Sequence, residues 1–230
     1  MRKGLLANRI AIVPGSGTGL GKATALLFAR EGAIVILCGR RLSKLEEVKQ
    51  QIESFGGIAH AVRTDVSSEQ DVLTLVDLVR TSYGHIDILI NNASVYEPGP
   101  VIETSLDTWN YHLQNNLTSA FLMTKACLHL MRKQRYGRIV NITSGLAHNG
   151  AGGFAAYSAS KAGLESLTRS VAGEEGSYDL LINMYNPGLV QTEPHAIGID
   201  PNRIAPDLLR LVTLAPGSYN GHLFEAQDPA

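Results

Sequence analysis

Short apolar segments of strand length alternate with longer amphipathic segments along most of the chain. The apolar segments lie at 9–14, 33–38, 58–65, 87–92, 137–143 and 180–186. The amphipathic segments lie near 19–31, 43–55, 68–83, 107–133 and 155–175, followed by a helix near 206–214 and a strand near 219–226. Several of the apolar segments have no polar face, which is typical of parallel strands buried on both sides.

This alternation predicts an α/β fold in which a parallel sheet carries helices on both faces. No linker, repeat or low-complexity segment interrupts it, so we expect residues 1–230 to form a single domain. Ser43 with Glu46, and Ser67 with Gln70, match the capping box and predict two helix starts. In open sheets of this kind, ligands bind beyond the carboxyl ends of the strands.

The composition favours an ordinary soluble protein of the reducing cytoplasm. The net charge is −1 and the pI is about 6.7, so no basic surface for nucleic acid is implied. No segment approaches the roughly 18 apolar residues of a membrane span. Cys38 and Cys127 lie in apolar segments without metal-ligand spacing, so we expect both to be buried packing residues and no metal site.

A glycine-rich segment, PGSGTGLG at 14–21, connects the first strand to the first helix. Glycines let the backbone turn tightly and approach a ligand, and the helix amino terminus offers N–H groups to a pyrophosphate. A tight turn without a ligand is the alternative, but the position after the first strand of a βαβ unit favours nucleotide binding. The residues predicted to bind are Gly15, Ser16, Gly17, Thr18, Gly19, Leu20 and Gly21.

The end of the second strand indicates which nicotinamide cofactor is used. A carboxylate that binds the ribose hydroxyls of NAD is usual there, but this chain has Arg40 and Arg41 instead. Guanidinium groups suit the 2′-phosphate of NADP, so we expect NADP(H) rather than NAD. Two solvated arginines ahead of a helix are the alternative.

Tyr157 and Lys161 lie four residues apart in the segment YSASK, on one face of a predicted helix. A tyrosine that gives its proton to a carbonyl oxygen near neutral pH needs its pKa lowered by about three units, or roughly 4 kcal/mol. An ammonium about 4 Å away supplies on the order of 4 kcal/mol. We therefore expect Lys161 to lower the pKa of Tyr157.

Seven short motifs occur in one order along the chain. Besides the glycine-rich segment they are DV at 65–66, NNA at 91–93, NNL at 115–117, ITSG at 142–145, YSASK at 157–161, and NPG with Thr192. In these motifs the chain resembles the short-chain dehydrogenase/reductase family, and its 3-oxoacyl-carrier-protein reductase-like members in particular. The resemblance implies a Rossmann-type doubly wound sheet of about seven strands in the order 3-2-1-4-5-6-7.

The resemblance also implies roles for individual residues. Its catalytic tetrad would be Asn116, Ser144, Tyr157 and Lys161. Its cofactor-binding residues would include Asp65, Val66, Asn91, Asn92, Ala93, Tyr157, Lys161, Pro187, Gly188, Val190 and Thr192. The sequence alone leaves Asn115 as a competitor of Asn116, and Thr143 as a competitor of Ser144. For three further candidate acid–base groups we expect loop or surface positions instead: His112, His148 and His195.

Two positions depart from the family pattern. Position 14 is Pro where Thr is usual, which weakens the expected contact between the glycine-rich segment and the NNA turn. Position 94 is Ser where Gly is usual, which restricts that turn. Neither departure removes a catalytic group, so they bear on cofactor affinity more than on turnover.

The segment that covers the substrate in the family is shortened here to residues 193–205, which predicts an open site. Candidate specificity residues, by position, are Ala147, His148, Phe154, Leu189 and His195. Small residues along the YSASK helix suit helix–helix contact, and the resemblance implies a homo-oligomer, either a tetramer or a dimer.

The sequence therefore predicts an NADP(H)-dependent oxidoreductase that acts on a small-molecule carbonyl/alcohol pair. A 3-oxoacyl thioester and a free ketone or aldehyde remain open as substrates, and a hydroxysteroid or sugar is less favoured. The competing hypothesis is a nucleotide-sensing protein of the same fold without turnover, which has no need of the Tyr157–Lys161 pair.

Overall fold

The computed structural model describes residues 4–191 and 197–226. The strands are β1 Ile10–Pro14, β2 Ile34–Gly39, β3 Ile58–Arg63, β4 Ile88–Asn91, β5 Tyr136–Ile142, β6 Asp179–Asn186 and β7 Leu223–Glu225. The helices are α1 Gly19–Arg30, α2 Leu42–Ser54, α3 Glu69–Tyr83, α4 Leu106–Leu113, α5 Ser119–Gln134, α6 Leu146–Asn149, α7 Ala155–Glu174 and α8 Pro201–Val212.

The seven strands form one parallel sheet in the order β3-β2-β1-β4-β5-β6-β7, which confirms the predicted Rossmann-type doubly wound fold. One hydrophobic core lies between the sheet and α1, α2 and α8, and includes Phe28 and Leu208. A second core lies on the other face against α3, α5 and α7, and includes Val76 and Met131. Because both faces are covered, the central strands have no polar face to present.

Pro14 is the last residue of β1, a central strand in which a missing N–H must be accommodated. The ladder between β1 and β4 pairs Ala11 and Ile12 only, so it ends before Pro14. On the other side Gly15 N donates to Cys38 O at 2.8 Å and continues the β1–β2 contact. The position of the missing N–H is therefore on the β4 side, beyond the last pair of that ladder.

The single long helix predicted for 107–133 is wrong in one respect, because a π-helical turn at Gln114–Thr118 separates α4 from α5. The Asn115 amide donates to Tyr111 O, and the Ser119 hydroxyl donates to Asn115 O. Polar side chains that bind carbonyls of their own helix loosen its regular hydrogen-bond ladder. The break turns Asn116 toward the interior.

Both predicted capping boxes are also wrong. Helix α2 begins at Leu42 without a side-chain cap, so Ser43 lies inside it. The cap of α3 is Ser68, whose hydroxyl accepts from Asp71 N. The preceding serine, Ser67, instead donates to Asp65 Oδ1 at 2.6 Å, which leaves the capping position to its neighbour.

Helix α8 begins at Pro201 rather than near 206, which corrects the predicted end of the shortened segment at 205. The Asp200 side chain accepts from Asn202 N at 2.9 Å, and Pro201 occupies the first helical position. An Asp cap followed by Pro is a strong signal for the start of a helix. It decides the start of α8 here, and Pro206 lies inside the helix. The last strand is shorter than the predicted 219–226, and residues 193–196 lie outside the described residues.

Cys38 and Cys127 are both fully buried and unpaired, as expected, and burial raises the pKa of each thiol. Among residues 4–191 and 197–226, no helix combines the length and apolar character needed to cross a bilayer. The same residues contain no group of three or more side chains suited to hold a metal ion.

Candidate active site

The candidate site lies at the carboxyl edge of the sheet, where β4 and β5 end and α7 begins. Tyr157 occupies the first turn of α7, and the side chains of Ser144 and Ser94 are neighbours of its hydroxyl. Ser144 follows β5, and its oxygen also accepts from Leu146 N at 3.3 Å. The fold thus brings together residues that the sequence separates by thirteen and by sixty-three positions.

Lys161 lies one helical turn after Tyr157 on the same face of α7, and it is only 2% exposed. Its Nζ donates to Ile142 O at 2.8 Å and lies 5.8 Å from the centroid of the Tyr157 ring. Burial lowers the pKa of Lys161 to about 8, so the side chain is charged at neutral pH and loses its charge in mildly alkaline solution.

The pKa of Tyr157 is raised above its usual value because the hydroxyl is largely buried; the neighbouring hydroxyls of Ser144 and Ser94 act in the opposite direction. The lowering expected from Lys161 is not found in this structure. The reason is geometric, since the ammonium is held at the Ile142 carbonyl rather than at the tyrosine hydroxyl.

Asn116 is 1% exposed and uses its whole amide to join the segment after β4 to α7. Its Oδ1 accepts from Val95 N at 2.7 Å and from Ser94 Oγ at 3.2 Å. Its Nδ2 donates to Val95 O and to Ser160 Oγ, each at 3.0 Å. The Asn115 amide binds its own helix, so Asn116 is the member of the pair that faces the site.

A cavity of about 10 Å³ lies behind the tyrosine, deep in the cleft. Its lining includes Pro14, Val66, Asn91, Ala93, Asn116 and Lys161. A cavity of about this size holds roughly one water molecule when polar groups line it. Lys161 and Asn116 both supply such groups, so one water molecule in the cavity can contact both side chains.

The alternatives to these residues lie elsewhere. Thr143, the competitor of Ser144, is buried, and its hydroxyl donates to Glu165 Oε1 at 2.9 Å. His148 is half exposed in α6, with its Nε2 3.1 Å from Glu165 Oε2. His112 corrects our expectation of a surface position, since it is fully buried in α4 and accepts from Glu97 N at 3.1 Å. His195 lies outside the described residues.

The glycine-rich segment has the shape of a phosphate cradle. Gly15 has φ +72°, and a Cβ on Gly21 would lie 2.3 Å from Gly15 O, so the turn and the helix start touch through bare backbone. The first N–H groups of α1 have no partner within the helix. The Ser16 hydroxyl is fully buried without a hydrogen-bond partner among the described residues. These donors fit the pyrophosphate of a dinucleotide.

The NNA turn supports the cradle from the side. Asn92 Nδ2 donates to Pro14 O at 3.2 Å and to Gly15 O at 3.3 Å, so the contact expected to weaken at Pro14 is made through backbone carbonyls. Asn91 points inward, where its amide donates to Asn141 Oδ1 at 2.7 Å. It therefore ties β4 to β5, and it also lines the small cavity deep in the cleft.

An open cleft of about 590 Å³ lies between the ends of β2 and β3 and helix α4. Arg40 and Asp65 line it together with Asn110 and Tyr111, which the sequence analysis missed because no motif marks them. Burial opposes ionisation of Asp65, but hydrogen bonds from Ser67 and the charge of Arg40 keep the pKa of that carboxyl below its usual value. The neighbouring Arg41 extends its Nη2 to within 3.5 Å of the Thr18 hydroxyl.

The remaining predicted residues lie in the segment after β6 and in the loop before α7. Pro187, Gly188, Leu189 and Val190 follow β6, and Val190 pairs with Ile199 in an isolated bridge. Thr192 lies outside the described residues. Phe154 stacks on Tyr96 with ring centroids 5.2 Å apart, and Tyr96 meets the Tyr157 ring edge-on at 5.3 Å. Tyr96 was missed because the sequence has no signal that brings it to α7.

The chain is similar to known proteins over most of its length. Residues 9–197 match the sequence profile of the family described as short chain dehydrogenase. The chain is 35% identical to a 3-oxoacyl-[acyl-carrier-protein] reductase of Synechocystis sp. over 98% of this chain and 92% of that protein.

Two further relatives also match most of the chain. The 3-oxoacyl-[acyl-carrier-protein] reductase FabG of Aquifex aeolicus is 35% identical over 84% of this chain and 78% of its own length. The (2S)-[(R)-hydroxy(phenyl)methyl]succinyl-CoA dehydrogenase subunit BbsD of Thauera aromatica is 35% identical over 81% of this chain and 75% of its own length.

Proposed function

The chain belongs to the short chain dehydrogenase family, and from this premise we propose that it uses NADPH to reduce the ketone of a 3-oxoacyl thioester. As a member of this family it is an oxidoreductase acting on a carbonyl/alcohol pair. The observation that carries the proposal is the Tyr157 hydroxyl, which has the Ser144 hydroxyl as a neighbour and the buried Lys161 on the same face of α7. Two relatives named 3-oxoacyl-[acyl-carrier-protein] reductase support the substrate class.

The bound nicotinamide would supply a hydride to the carbonyl carbon. Side chains of the protein stabilise and protonate the carbonyl oxygen, which gains negative charge as the hydride arrives. Ser144 donates a hydrogen bond to that oxygen and orients it. Tyr157 transfers its hydroxyl proton to the same oxygen, which yields the alcohol and leaves a phenolate.

Lys161 and Asn116 would return the proton to Tyr157. The lysine is charged at neutral pH, and its position on the tyrosine's face of α7 stabilises the phenolate. A water in the cavity that Lys161 and Asn116 line continues the path away from the tyrosine. In the same arrangement Lys161 holds the nicotinamide ribose hydroxyls, as the resemblance implies.

The length of the segment after β6 supports a substrate with a large carrier. Only nine residues, 192–200, connect Gln191 to the start of α8. A short covering segment suits a thioester whose acyl group reaches Tyr157 while the carrier remains in solvent. Leu189, which is largely exposed beside this segment, is a candidate contact for the acyl chain.

The direct test is an assay of the wild-type protein by nicotinamide absorbance. Acetoacetyl-CoA, a simple ketone, a hydroxysteroid and a sugar alcohol are each offered with both cofactors. We expect turnover with NADPH and acetoacetyl-CoA, and a kcat/KM for the simple ketone that is lower by a factor of ten or more. Tight NADPH binding without turnover of any compound would instead support the nucleotide-sensing function.

Arg40→Ala should weaken NADPH binding about tenfold and NADH binding less than twofold. The expected loss corresponds to one charge-assisted contact to the 2′-phosphate, reduced because Arg40 is exposed. Titration of intrinsic fluorescence with each cofactor measures both constants. Arg80→Ala is the matched control, because that exposed arginine ends α3 at the opposite edge of the sheet. Equal losses for the two cofactors would contradict the NADP assignment.

Gly21→Ala should lower the affinity for either cofactor at least tenfold, because the added Cβ would push Gly15 O out of the cradle. The matched control is Gly173→Ala in α7, where a Cβ meets no atom within 4 Å. We expect that control to bind normally and to be stabilised by up to about 1 kcal/mol, as Ala replaces Gly inside a helix. Isothermal titration and thermal melting report the two effects. Unchanged cofactor affinity in Gly21→Ala would show that the glycine-rich segment does not bind the cofactor.

A further inference from the structure

Glu165 is a buried carboxylate on α7 that the proposed mechanism does not use. The residue is 1% exposed and lies one helical turn after Lys161, on the same face of the helix. Its Oε1 accepts from the Thr143 hydroxyl at 2.9 Å. Its Oε2 lies 3.1 Å from His148 Nε2 and 3.6 Å from Arg169 Nη1. A carboxylate is tolerated in the interior when it is hydrogen-bonded and paired, and these neighbours meet both needs.

Two of the side chains that contact Glu165 flank Ser144 in the chain. Thr143 immediately precedes Ser144, just after the end of β5, and His148 lies four residues after it in α6. Helix α6 has four residues, all of them at least partly exposed, and so short a helix is not stable on its own. The contact with His148 therefore fixes α6, and the contact with Thr143 fixes the end of the strand. Glu165 holds both sides of the turn that carries Ser144.

We propose that Glu165 is a positioning residue, which holds Ser144 where its hydroxyl can donate to the substrate oxygen. The inference deepens the proposed function and rests on it, since it assigns Glu165 to the same reaction. Donation to a developing charge depends on geometry, and a misplacement of about 1 Å can cost on the order of 10² in rate. The Glu165 carboxylate acts on the reaction through Thr143 and α6, so its effect should disappear when the Ser144 hydroxyl is absent.

Lys161, Glu165 and Thr168 each join α7 to the region where β5 ends. Lys161 donates to a backbone carbonyl, whereas the Thr168 hydroxyl accepts from Asn141 Nδ2 at 2.7 Å. Of these side chains, Glu165 contacts α6 as well. Thr168 is fully buried, and its hydroxyl links the same helix to the same strand two residues before the Thr143 contact. It therefore offers a matched control for a lost hydroxyl that does not hold the turn at Ser144.

The first experiment measures kcat and NADPH affinity, with the ketone that the wild type reduces fastest. Thr143→Val keeps nearly the same volume but removes the donor to Glu165. We expect its kcat to fall about tenfold, with NADPH affinity within twofold of the wild type. Thr143→Ser keeps the hydroxyl and should restore kcat. Thr168→Val should lower the melting temperature while kcat stays near the wild-type value. A loss of kcat in Thr168→Val as large as that in Thr143→Val would overturn the proposal.

Double variants separate positioning from a general structural role. Ser144→Ala alone should lower kcat about 10²-fold, as expected for the loss of one donor to the developing oxyanion. Glu165→Gln keeps the side-chain volume without the charge and should lower kcat about three- to tenfold. In the Ser144→Ala background, Glu165→Gln and Thr143→Val should each cost less than a further twofold, because the residue that they position has lost its hydroxyl. Losses as large as in the wild-type background would overturn the proposal.

Amide hydrogen exchange gives a readout that needs no turnover. The amides around α6 are held by bonds such as that from Ala147 N to Ser144 O at 2.9 Å. His148→Ala removes the contact between α6 and Glu165, so we expect exchange in residues 145–150 to become about tenfold faster. Unchanged exchange there would overturn the proposal, even if the wild type proves to be an active reductase. Conversely, an inactive wild type would defeat the proposed function, while exchange would still decide whether Glu165 holds this turn.

Discussion

Tyr157→Phe should lower kcat/KM for acetoacetyl-CoA by about 10³-fold, the size expected when a general acid is removed. Phenylalanine keeps the ring and its edge-on contact with Tyr96, so the wall of the cleft is preserved. The hydroxyl oxygen beside Ser144 is the only heavy atom deleted. NADPH affinity and melting temperature should therefore stay near the wild-type values.

Steady-state rates and fluorescence titration measure the two halves of this prediction. The matched control is Tyr178→Phe, which removes a hydroxyl immediately before β6, at the opposite edge of the sheet. We expect the control to retain full activity. If Tyr157→Phe kept a third or more of the wild-type rate, Tyr157 would not be the proton donor.

Lys161→Met should lower kcat/KM about 10²-fold or more and should also weaken NADPH binding. Methionine fills a similar volume without a charge, so the variant loses both the stabilisation of the phenolate and the contact expected with the ribose. Its folding is affected by two opposing changes: a buried charge is removed, but Ile142 O loses its donor. A melting curve checks that the variant is folded before its activity is measured.

The pH dependence of binding separates Lys161 from other groups. Because burial lowers the pKa of this lysine to about 8, the free protein carries the charge below that pH and loses it above. Wild-type NADPH affinity should consequently fall as the pH rises through this region, whereas Lys161→Met should bind weakly at every pH. Lys125→Met, on the exposed face of α5, should follow the wild type. A parallel pH dependence in Lys161→Met would assign the titration to another group.

The sheet was predictable because its signals are local and strong. Strands buried on both faces need unbroken apolar segments, and these segments gave β1, β2, β4, β5 and β6 to within about two residues. The edge where Ser144 and Tyr157 meet follows from the parallel arrangement, since every motif lies at the end of a strand or on the helix that follows one.

Contacts between distant polar side chains were not predictable in the same way. The break between α4 and α5 depends on how Asn115 and Ser119 compete for carbonyls of their own helix, which apolar periodicity does not report. The direction of the Lys161 ammonium depends on a carbonyl nineteen residues earlier in the chain. The contact between Ser94 Oγ and Asn116 Oδ1 likewise depends on the fold, because the two residues are 22 positions apart in the chain.

The start of α8 is a different kind of miss, because its signal was present in the sequence. Asp200 followed by Pro201 is a good cap and first position, and Asp200 does accept from Asn202 N. The predicted start of the helix, near Pro206, lies within the helix instead. The connection after β6 is shorter as a result, which bears directly on the kind of substrate that we propose.

The central claim is that the Tyr157 hydroxyl exchanges its proton with the substrate oxygen. It is tested most directly by measuring kcat/KM against pH in both directions, ketone reduction and alcohol oxidation, in the wild type. Reduction needs the phenol and oxidation needs the phenolate, so we predict that reduction falls and oxidation rises through one shared pKa. Profiles with unrelated pKa values in the two directions, or the same profiles in Tyr157→Phe, would contradict the account.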